Sequence, residues 1–337
     1  MSTKRFDYIV VGAGSAGCVV ANRLSADGQK TVLLLEAGPR HNSVILQMPA
    51  ALGLPLESTR FNWGFKSEAE PGLNGNKSDQ HRGRVLGGSS SINGMVFVRG
   101  NPLDFDNWAN LGLPNWSYRH CLPYFKKMET FEGGADDYRG GDGPMHVHQC
   151  SADNPLYQAF LGAGQDYGLK LNKDQNGYQQ EGVNVAQAST YKGERWSTAR
   201  AYLDTAKGRA NLTVTTGAQV VGLVFEDKKA VAVTYEVNGV TREARANAEI
   251  ILSAGAFGTP QLLLLAGIGD RDELSALGIE VRHHLPGVGK DLQDHVAVAI
   301  QYSTPKKGVS PTRQLSTVGR LFVGARWLAT HTGLGAS

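Results

Sequence analysis

The feature that most constrains the fold lies near the N-terminus, where an apolar run, Tyr8 to Val11, leads directly into a glycine motif. The glycines stand at the spacing G-x-G-x-x-G: Gly12, Gly14 and Gly17. A helix-like segment follows, and a second apolar run, Thr31 to Leu35, ends at Glu36. A strand, a tight turn, a helix and a second strand form a βαβ unit, whose strands pair in parallel. The chain is therefore predicted to have an α/β fold.

The same motif predicts a dinucleotide site. Glycines permit a tight turn and a close approach of the backbone to a pyrophosphate, and the helix N-terminus faces its negative charge. Glu36 stands about 20 residues further on, where a carboxylate accepts hydrogen bonds from a ribose diol. The motif by itself leaves NAD and FAD both open.

A second glycine-rich stretch, G-R-V-L-G-G-S-S-S-I-N-G-M, runs from Gly83 to Met95 and is called the glycine–serine segment below. It offers many backbone N–H groups and almost no side-chain bulk, so it suits close approach to a polar planar ligand. A simple NAD-binding Rossmann domain needs no such loop. The segment therefore favours FAD over NAD.

The glycine–serine segment, with an N-P pair at Asn101, resembles the first signature of the glucose–methanol–choline (GMC) oxidoreductases. A further segment, Gly255 to Gly269, resembles the second signature, with Ala266 where the family usually has serine. Two more segments, Trp196 to Leu203 and Val288 to His295, are similar to family sequences. The resemblance covers essentially the whole chain.

The resemblance implies a Rossmann-like FAD-binding domain, with a parallel sheet and a β meander, and a partial substrate-binding domain, so the overall class is α/β with α+β character. Residues 1–150 are predicted to form the first part of the FAD-binding domain, and residues 151–195 an insertion from the substrate domain. Residues 196–300 are expected to complete the FAD-binding domain, and residues 301–337 to begin a truncated substrate-binding domain.

The resemblance also implies a set of cofactor-binding residues: Gly12, Gly14, Ser15, Gly17, Glu36, Val85, Gly88, Asn93, Gly94, Met95, Val96 and Val220. The first glycine motif would meet the FAD pyrophosphate, Glu36 the adenosine ribose and the Val220 backbone the adenine. Val85 and the stretch from Asn93 would lie along the flavin. Some family members tether FAD through a histidine at the position of Ile92, so non-covalent FAD is expected here.

The activity that the resemblance implies is oxidation of a primary alcohol, choline-like, aliphatic or aromatic. A histidine base takes the hydroxyl proton while the carbon-bound hydrogen leaves as hydride to the flavin N5 atom. In the family this histidine lies C-terminal to a segment that W-L-A-T-H-T-G of the present sequence resembles. The present sequence ends at Ser337, within that segment. No catalytic residue is therefore expected among these residues.

Three functions stay open at this point. The first is an FAD-dependent alcohol dehydrogenase or oxidase, whose partners would be a small alcohol and an electron acceptor such as oxygen, a quinone or another carrier. The second is a catalytically incompetent FAD-binding fragment or remnant. The third is an NAD-dependent dehydrogenase, which the glycine–serine segment and the second signature disfavour.

The histidines offer little sign of a metal. His146 and His148 alternate on a predicted strand, where two imidazoles could form a metal pair. No cluster of Cys, Asp or Glu accompanies them, so they are interpreted as partly exposed strand residues. No metal site is predicted.

Composition narrows the partners and the location. The 34 basic and 31 acidic residues give a net charge of +3, and no basic run is interleaved with aromatics, so a nucleic-acid partner is not expected. Three scattered cysteines fit reduced thiols in the cytoplasm better than a disulfide framework. The sequence suggests no signal peptide and no apolar run long enough to span a bilayer.

The remaining patterns predict secondary structure. The predicted helices lie near Asp104–Leu111, Ser117–Phe131 and Asp153–Tyr167. A strand is predicted at Met145–His148. Asp153 is the expected cap of the third helix. Three β runs between Asn211 and Asn247, separated by turns, predict an antiparallel meander, with a separate buried strand at Glu249–Leu252.

Overall fold

The computed structural model describes residues 4–295, 297–306, 308–311 and 314–336. The chain divides into two compact units, each built from three stretches. The first unit comprises Met1–Ser43, Leu54–Ile92 and Thr198–Ile300, and the second comprises Val44–Gly53, Asn93–Ser197 and Gln301–Ser337. The domain boundaries expected from the sequence, near residues 150, 195 and 300, stay a prediction.

The α-helices are α1 (Ser15–Leu24), α2 (Val44–Gln47), α3 (Gly53–Glu57), α4 (Pro102–Asn110), α5 (Tyr118–Met128), α6 (Pro155–Asp166), α7 (Gly255–Leu265), α8 (Arg271–Ala276) and α9 (Thr317–Thr330). The strands are β1 (Lys4–Val11), β2 (Val32–Glu36), β3 (Phe65–Lys66), β4 (Asp79–Gln80), β5 (Glu129–Phe131), β6 (Met145–Gln149), β7 (Gln187–Ala188), β8 (Thr190–Tyr191), β9 (Glu194–Arg195), β10 (Leu212–Thr216), β11 (Ala218–Glu226), β12 (Lys229–Val237), β13 (Val240–Leu252), β14 (Ile268–Gly269) and β15 (His283–His284). Within the described ranges, no helix is both long enough and apolar enough to cross a membrane.

A six-stranded sheet in the order β10-β2-β1-β13-β12-β11 organises the described part of the first unit. β1 pairs in parallel with β2 on one side and with β13 on the other. Helix α1 joins β1 to β2. Every residue of β2 is buried, as expected for a strand in the middle of a parallel sheet. The predicted βαβ unit is therefore confirmed.

The antiparallel meander is confirmed for β11 and β12, and the structure adds β13 as its third strand, after a turn that contains Asn238 and Gly239 at positive φ. β10, however, lies outside the meander, because it pairs in parallel with β2 at the opposite edge of the sheet. The run Glu249–Leu252 is the end of β13, which pairs antiparallel with β12 and then parallel with β1. A local apolar pattern indicates a strand, whereas its pairing partner depends on distant residues.

The second unit contains helices α4, α5, α6 and α9, a small sheet β5-β6-β7 and the hairpin β8–β9. The predicted strand at M-H-V-H is β6. Two predicted details were wrong. Helix α5 ends at Met128, and Glu129–Phe131 form β5. Asn154, rather than Asp153, caps α6, because its side-chain oxygen accepts a hydrogen bond from the N–H of Leu156 at 2.8 Å.

A buried group of charged side chains holds the second unit together. The carboxylate of Glu129 accepts hydrogen bonds from Arg99 Nη2 at 3.0 Å, from Arg139 Nε at 2.9 Å and Nη2 at 3.1 Å, and from the Gly140 N–H at 3.0 Å. Arg139 also donates to Asp174 at 2.6 Å. Glu129 and the Arg139 side chain are fully buried. This network connects four separate stretches of chain.

Candidate functional site

A cavity of about 600 Å³ opens in the first unit at the carboxyl ends of parallel strands. Val11 ends β1, Glu36 ends β2 and Leu252 ends β13, and all three line the cavity. The start of β11, from Ala218 to Val220, and the first turn of α7 complete the wall. Ligands of open α/β sheets bind at this edge, so the fold itself marks the cavity as the candidate site.

The glycine motif forms the turn between β1 and α1. Gly12 has a φ of +92°, and a Cβ at that position would lie 2.6 Å from the carbonyl oxygen of Ser253. A Cβ on Gly17 would lie 1.9 Å from the carbonyl oxygen of Gly12, so α1 packs this closely only because both residues lack side chains. A Cβ on Gly14 would meet its nearest atoms at 4.0 Å, and Gly14 lines the cavity. The space in front of Gly14 can therefore hold a ligand.

The carboxylate of Glu36 is held by backbone groups of the turn. Oε2 accepts a hydrogen bond from the N–H of Ala13, and Oε1 accepts one from the N–H of Gly38, both at 2.9 Å. Burial raises the pKa of Glu36 to about 7, although the two backbone donors and the Arg84 guanidinium act to lower it. Each carboxylate oxygen can accept a further hydrogen bond. The side chain therefore suits a ligand that presents two hydroxyl groups.

The raised pKa of Glu36 predicts a pH dependence of stability. The folded chain binds this proton more tightly than the unfolded chain, so the stabilisation is fully present below pH 4.5 and is lost as pH rises through about 7. We expect the free energy of unfolding to fall by about 3 kcal/mol from this group over that range. Urea unfolding of the ligand-free chain between pH 4.5 and 8 measures it.

The matched variant for this measurement is Glu36→Gln, which has no titrating group at the same position. The difference in unfolding free energy between wild type and variant should change with pH in the direction given. If the two pH profiles run parallel, the carboxylate of Glu36 does not titrate near neutral pH in the folded chain.

The glycine–serine segment packs directly against the glycine turn. The N–H of Gly87 donates to the carbonyl oxygen of Ala13 at 2.7 Å, and a Cβ on Gly88 would lie 2.7 Å from the Cα of Gly14. Both Gly87 and Gly88 have positive φ, a conformation that glycine adopts without strain. Gly88 and Ser89 line the cavity. Two glycine motifs more than 60 residues apart in sequence thus form one backbone-lined surface.

Aromatic and basic side chains that the sequence analysis did not identify also line the cavity: Trp63, Phe65, Phe257 and Arg82. Trp63 stacks on Phe65, with ring centroids 5.8 Å apart, and Phe65 meets Phe257 edge to face at 5.6 Å. The guanidinium of Arg82 lies 4.5 Å from the ring centroid of Phe257. The available signal was the alternation W-G-F in a loop otherwise rich in Gly, Pro and Asn. These rings give the cavity a planar apolar surface.

The predicted cofactor residues fall into three groups. Those that line the cavity are Gly12, Gly14, Ser15, Glu36, Gly88 and Val220. Gly17 supports the turn through its packing on Gly12, and Val85 is fully buried. The last four, Asn93, Gly94, Met95 and Val96, belong to the second unit. For all three groups, the assignment of the residues to a cofactor stays a prediction.

The histidines on β6 contact neighbouring side chains. His146 stacks on the ring of Tyr191 with centroids 3.8 Å apart and meets Trp196 edge to face, and burial lowers its pKa. Nδ1 of His148 lies 3.7 Å from Glu132. Over the described ranges, no group of three or more His, Cys, Asp or Glu side chains is arranged to hold a metal ion.

The lining of the cavity fits an extended dinucleotide such as FAD. Bare backbone at Gly12 and Gly14, next to the N-terminus of α1, suits a pyrophosphate. The carboxylate of Glu36 suits a ribose diol, and the ring of Trp63 suits a planar base. The pyrophosphate, one ribose and one planar base of such a ligand thus each have a matching group within the first unit.

Comparison with known proteins agrees with this geometry. Residues 6–297 match a family model described as GMC oxidoreductase. Similar curated proteins include the oxygen-dependent choline dehydrogenases of Photobacterium profundum, 48% identical over 336 residues, and of Staphylococcus aureus (strain Newman), 46% identical over 339 residues. These alignments cover 98% and 99% of this chain, but only 59% of the length of each relative.

Solved structures show the same likeness. A formate oxidase superposes with a TM-score of 0.88 at 27% identity, over 100% of this chain and 60% of that chain. Pyridoxine 4-oxidase from Mesorbium loti superposes with a TM-score of 0.80 at 34% identity, over 83% of this chain and 55% of that chain. Together with the parallel sheet, these likenesses confirm the predicted α/β, Rossmann-like fold class.

Proposed function

The chain belongs to the GMC oxidoreductase family, and from this premise we propose that it binds FAD and takes part in the oxidation of a primary alcohol. The observation that supports FAD most directly is the cavity at the ends of the parallel strands. There, a glycine turn that is closely packed at Gly12 and Gly17 but open to the cavity at Gly14 lies beside a carboxylate that can still accept hydrogen bonds.

In this proposal each group of the cavity holds one part of FAD. Gly12 adjoins the pyrophosphate with bare backbone, since its own N–H donates to the carbonyl oxygen of Leu35 at 2.9 Å. The backbone N–H groups of Gly14 and Ser15, at the start of α1, bind the pyrophosphate. The carboxylate of Glu36 accepts hydrogen bonds from the ribose hydroxyls, and Val220 with Trp63 adjoins the adenine. Val85, Gly88 and the stretch from Asn93 to Val96 are assigned to the flavin through the family resemblance. Ile92 carries no nucleophile, so the proposal includes non-covalent FAD.

The ionisation of Glu36 enters this proposal directly. The deprotonated carboxylate can accept hydrogen bonds from both ribose hydroxyls, whereas in the protonated form one oxygen carries a proton and loses an acceptor site. Because burial holds the pKa of Glu36 at about 7, FAD affinity should rise as pH increases through neutrality. The stability of the ligand-free chain falls over the same range, so the same proton affects folding and binding in opposite directions.

Bound FAD would supply the chemistry by accepting the carbon-bound hydrogen of the alcohol as hydride at its N5 atom. The chain's own residues hold the cofactor in an extended form and surround it with backbone and apolar groups. A choline-like substrate and oxygen as electron acceptor are supported by the names of the relatives, oxygen-dependent choline dehydrogenases. An aliphatic or aromatic alcohol, and a quinone or other carrier, are the alternatives.

A second candidate function is FAD binding without turnover. No histidine is among the described residues that line the cavity, and family chemistry uses a histidine base. Both candidates predict bound flavin, and they differ in whether an alcohol reduces it. The cytoplasmic location suggested by cysteine usage stays a prediction from the sequence.

The proposed function is tested by loading the purified chain with FAD, removing free cofactor and recording the visible spectrum. A yellow protein that releases its flavin on denaturation is the expected result, and excess NAD should not displace it. Adding choline or a simple alcohol without oxygen should then bleach the flavin absorption. Persistent absorption supports the second candidate, whereas a colourless protein contradicts FAD binding.

A further inference from the structure

Asn93, Gly94 and Met95 form a tight turn in the second unit. Met95 has a φ of +62° and is 5% exposed. Non-glycine residues keep this left-handed conformation only where the surrounding structure holds it. The N–H of Met95 donates to Oδ1 of Asn93 at 3.0 Å. The turn therefore depends on the orientation of one amide side chain.

Arg195 holds that amide side chain in place. Its Nη1 donates to the carbonyl oxygen of Asn93 at 2.6 Å and to Oδ1 of Asn93 at 2.9 Å, and its Nε donates to the carbonyl oxygen of Leu46 at 2.9 Å. Arg195 is 2% exposed. Burial lowers its pKa to about 10, so the guanidinium stays charged at neutral pH and its hydrogen bonds are charge-assisted.

The other end of the turn is held by the same hairpin. The N–H of Ser189, next to β8, donates to the carbonyl oxygen of Met95 at 2.8 Å. Thr190 pairs with Arg195 across the β8–β9 hairpin. Hydrogen bonds from the β8–β9 hairpin and the adjacent Ser189 thus hold both Asn93 and Met95, the first and last residues of the turn.

The tip of this hairpin is anchored as well. Gly193 has positive φ, and a Cβ there would lie against the carbonyl oxygen of His331. The indole Nε1 of Trp327, in α9, donates to the carbonyl oxygen of Gly193 at 2.7 Å. Nδ1 of His331 lies 3.2 Å from Glu194, and its ring stacks on Trp327. The hairpin is therefore a rigid support for Arg195.

We propose that Arg195 is a positioning residue, which fixes the Asn93–Met95 turn from the β8–β9 hairpin and so sets the surroundings of the bound flavin. The inference rests on the proposed function, because only the family resemblance assigns Asn93 to Val96 to the flavin. Arg195 itself acts through Asn93. Arg195 lies 102 positions from Asn93 in the sequence, so no motif around Asn93 identifies it.

The test uses Arg195→Lys in the full chain. Lysine keeps the charge, but it cannot donate to Leu46 and to both oxygens of Asn93 in the geometry of a guanidinium fork. In the flavin-free chain, the backbone amides from Gly94 to Val96 should exchange with deuterium faster than in wild type. In the loaded chain, FAD should bind roughly tenfold more weakly, and the visible circular dichroism of the flavin should change.

Arg209→Lys is the matched control. Its Nη1 also donates to a carbonyl oxygen, that of Asn22, and to the Ser25 hydroxyl, but within the first unit. It should leave the exchange at Gly94–Val96 and the flavin spectrum unchanged. If Arg195→Lys disturbs folding, Arg195→Ala with added guanidinium ion provides the second measurement, since a bound guanidinium should restore slow exchange and the wild-type spectrum.

The outcomes separate this inference from the proposed function. If wild type binds FAD and Arg195→Lys has the same amide exchange and the same flavin spectrum, the positioning role of Arg195 is overturned and the proposed function stands. Wild type that binds no FAD overturns the proposed function and with it the flavin role of Arg195. Faster exchange together with an altered flavin spectrum, both reversed by guanidinium in Arg195→Ala, supports the inference.

Discussion

Gly17→Ala is expected to abolish cofactor binding and to destabilise the first unit by about 3 kcal/mol. Its added methyl would lie 1.9 Å from the carbonyl oxygen of Gly12, which is rigid backbone, so α1 must move away from the turn that it supports. This movement displaces the N–H groups proposed to bind the pyrophosphate. Urea unfolding and FAD titration of the purified variant measure the two effects.

Two further glycine variants separate packing from ligand contact. The methyl added in Gly14→Ala would lie 4.0 Å from its nearest protein atoms, so the variant should fold normally. Because this methyl would occupy space proposed for the pyrophosphate, FAD should bind roughly a hundredfold more weakly, a loss of about 2.7 kcal/mol. Gly162→Ala, in α6, places its methyl where no atom lies within 4 Å, so it should stabilise the chain by about 0.5–1 kcal/mol without changing FAD affinity. Equal FAD affinity in Gly14→Ala and wild type would contradict the proposed pyrophosphate site.

Glu129→Ala is expected to lower the free energy of unfolding by about 3–5 kcal/mol, because it leaves two buried guanidinium groups without their shared carboxylate. Arg139 is fully buried and Arg99 nearly so, and neither can regain water without opening the second unit. The midpoint of urea unfolding, followed by tryptophan fluorescence, measures the loss. Glu129→Gln should cause most of the same loss, since it keeps the volume and removes the charge.

The control for this prediction is Glu68→Gln. Glu68 forms an ion pair with Lys77 at 3.1 Å, but both side chains are exposed and screened by solvent. The variant should unfold at the wild-type midpoint. If Glu129→Ala and Glu68→Gln unfold at the same urea midpoint, the buried network contributes little to stability.

Sequence reasoning located the glycine turn and Glu36 correctly, because local spacing determines these features. A G-x-G-x-x-G turn followed by a carboxylate at the end of the next strand needs no knowledge of the rest of the chain. The same reasoning placed β10 in the meander, although it pairs with β2. It chose Asp153 as a helix cap where Asn154 has the required position. The first error concerns strand pairing, which neighbouring residues leave undetermined, whereas the second is a shift of one residue at a helix end.

Other parts of the site depend on contacts between distant segments. Trp63 reaches the cavity from a loop with little periodicity, and its sequence neighbours do not distinguish it from an ordinary buried aromatic residue. Arg195, in β9, contacts Asn93 in a turn 102 residues earlier in the sequence, and Glu129 binds both Arg99 and Arg139 in one buried network. Each contact depends on the path of the backbone, which no short motif encodes.

The sequence by itself determined the βαβ unit, the family and the residue types that a dinucleotide requires, since these follow from the spacing of glycines and apolar residues along one stretch of chain. Only the tertiary structure decided which groups share the cavity with Glu36, how β13 joins the parallel and antiparallel parts of the sheet, and why Arg195 holds the Asn93 turn. The physical reason is the distance along the sequence between the residues that interact. Backbone conformation responds to nearby residues, whereas burial, ion pairing and side-chain hydrogen bonding depend on which distant segments the fold brings into contact.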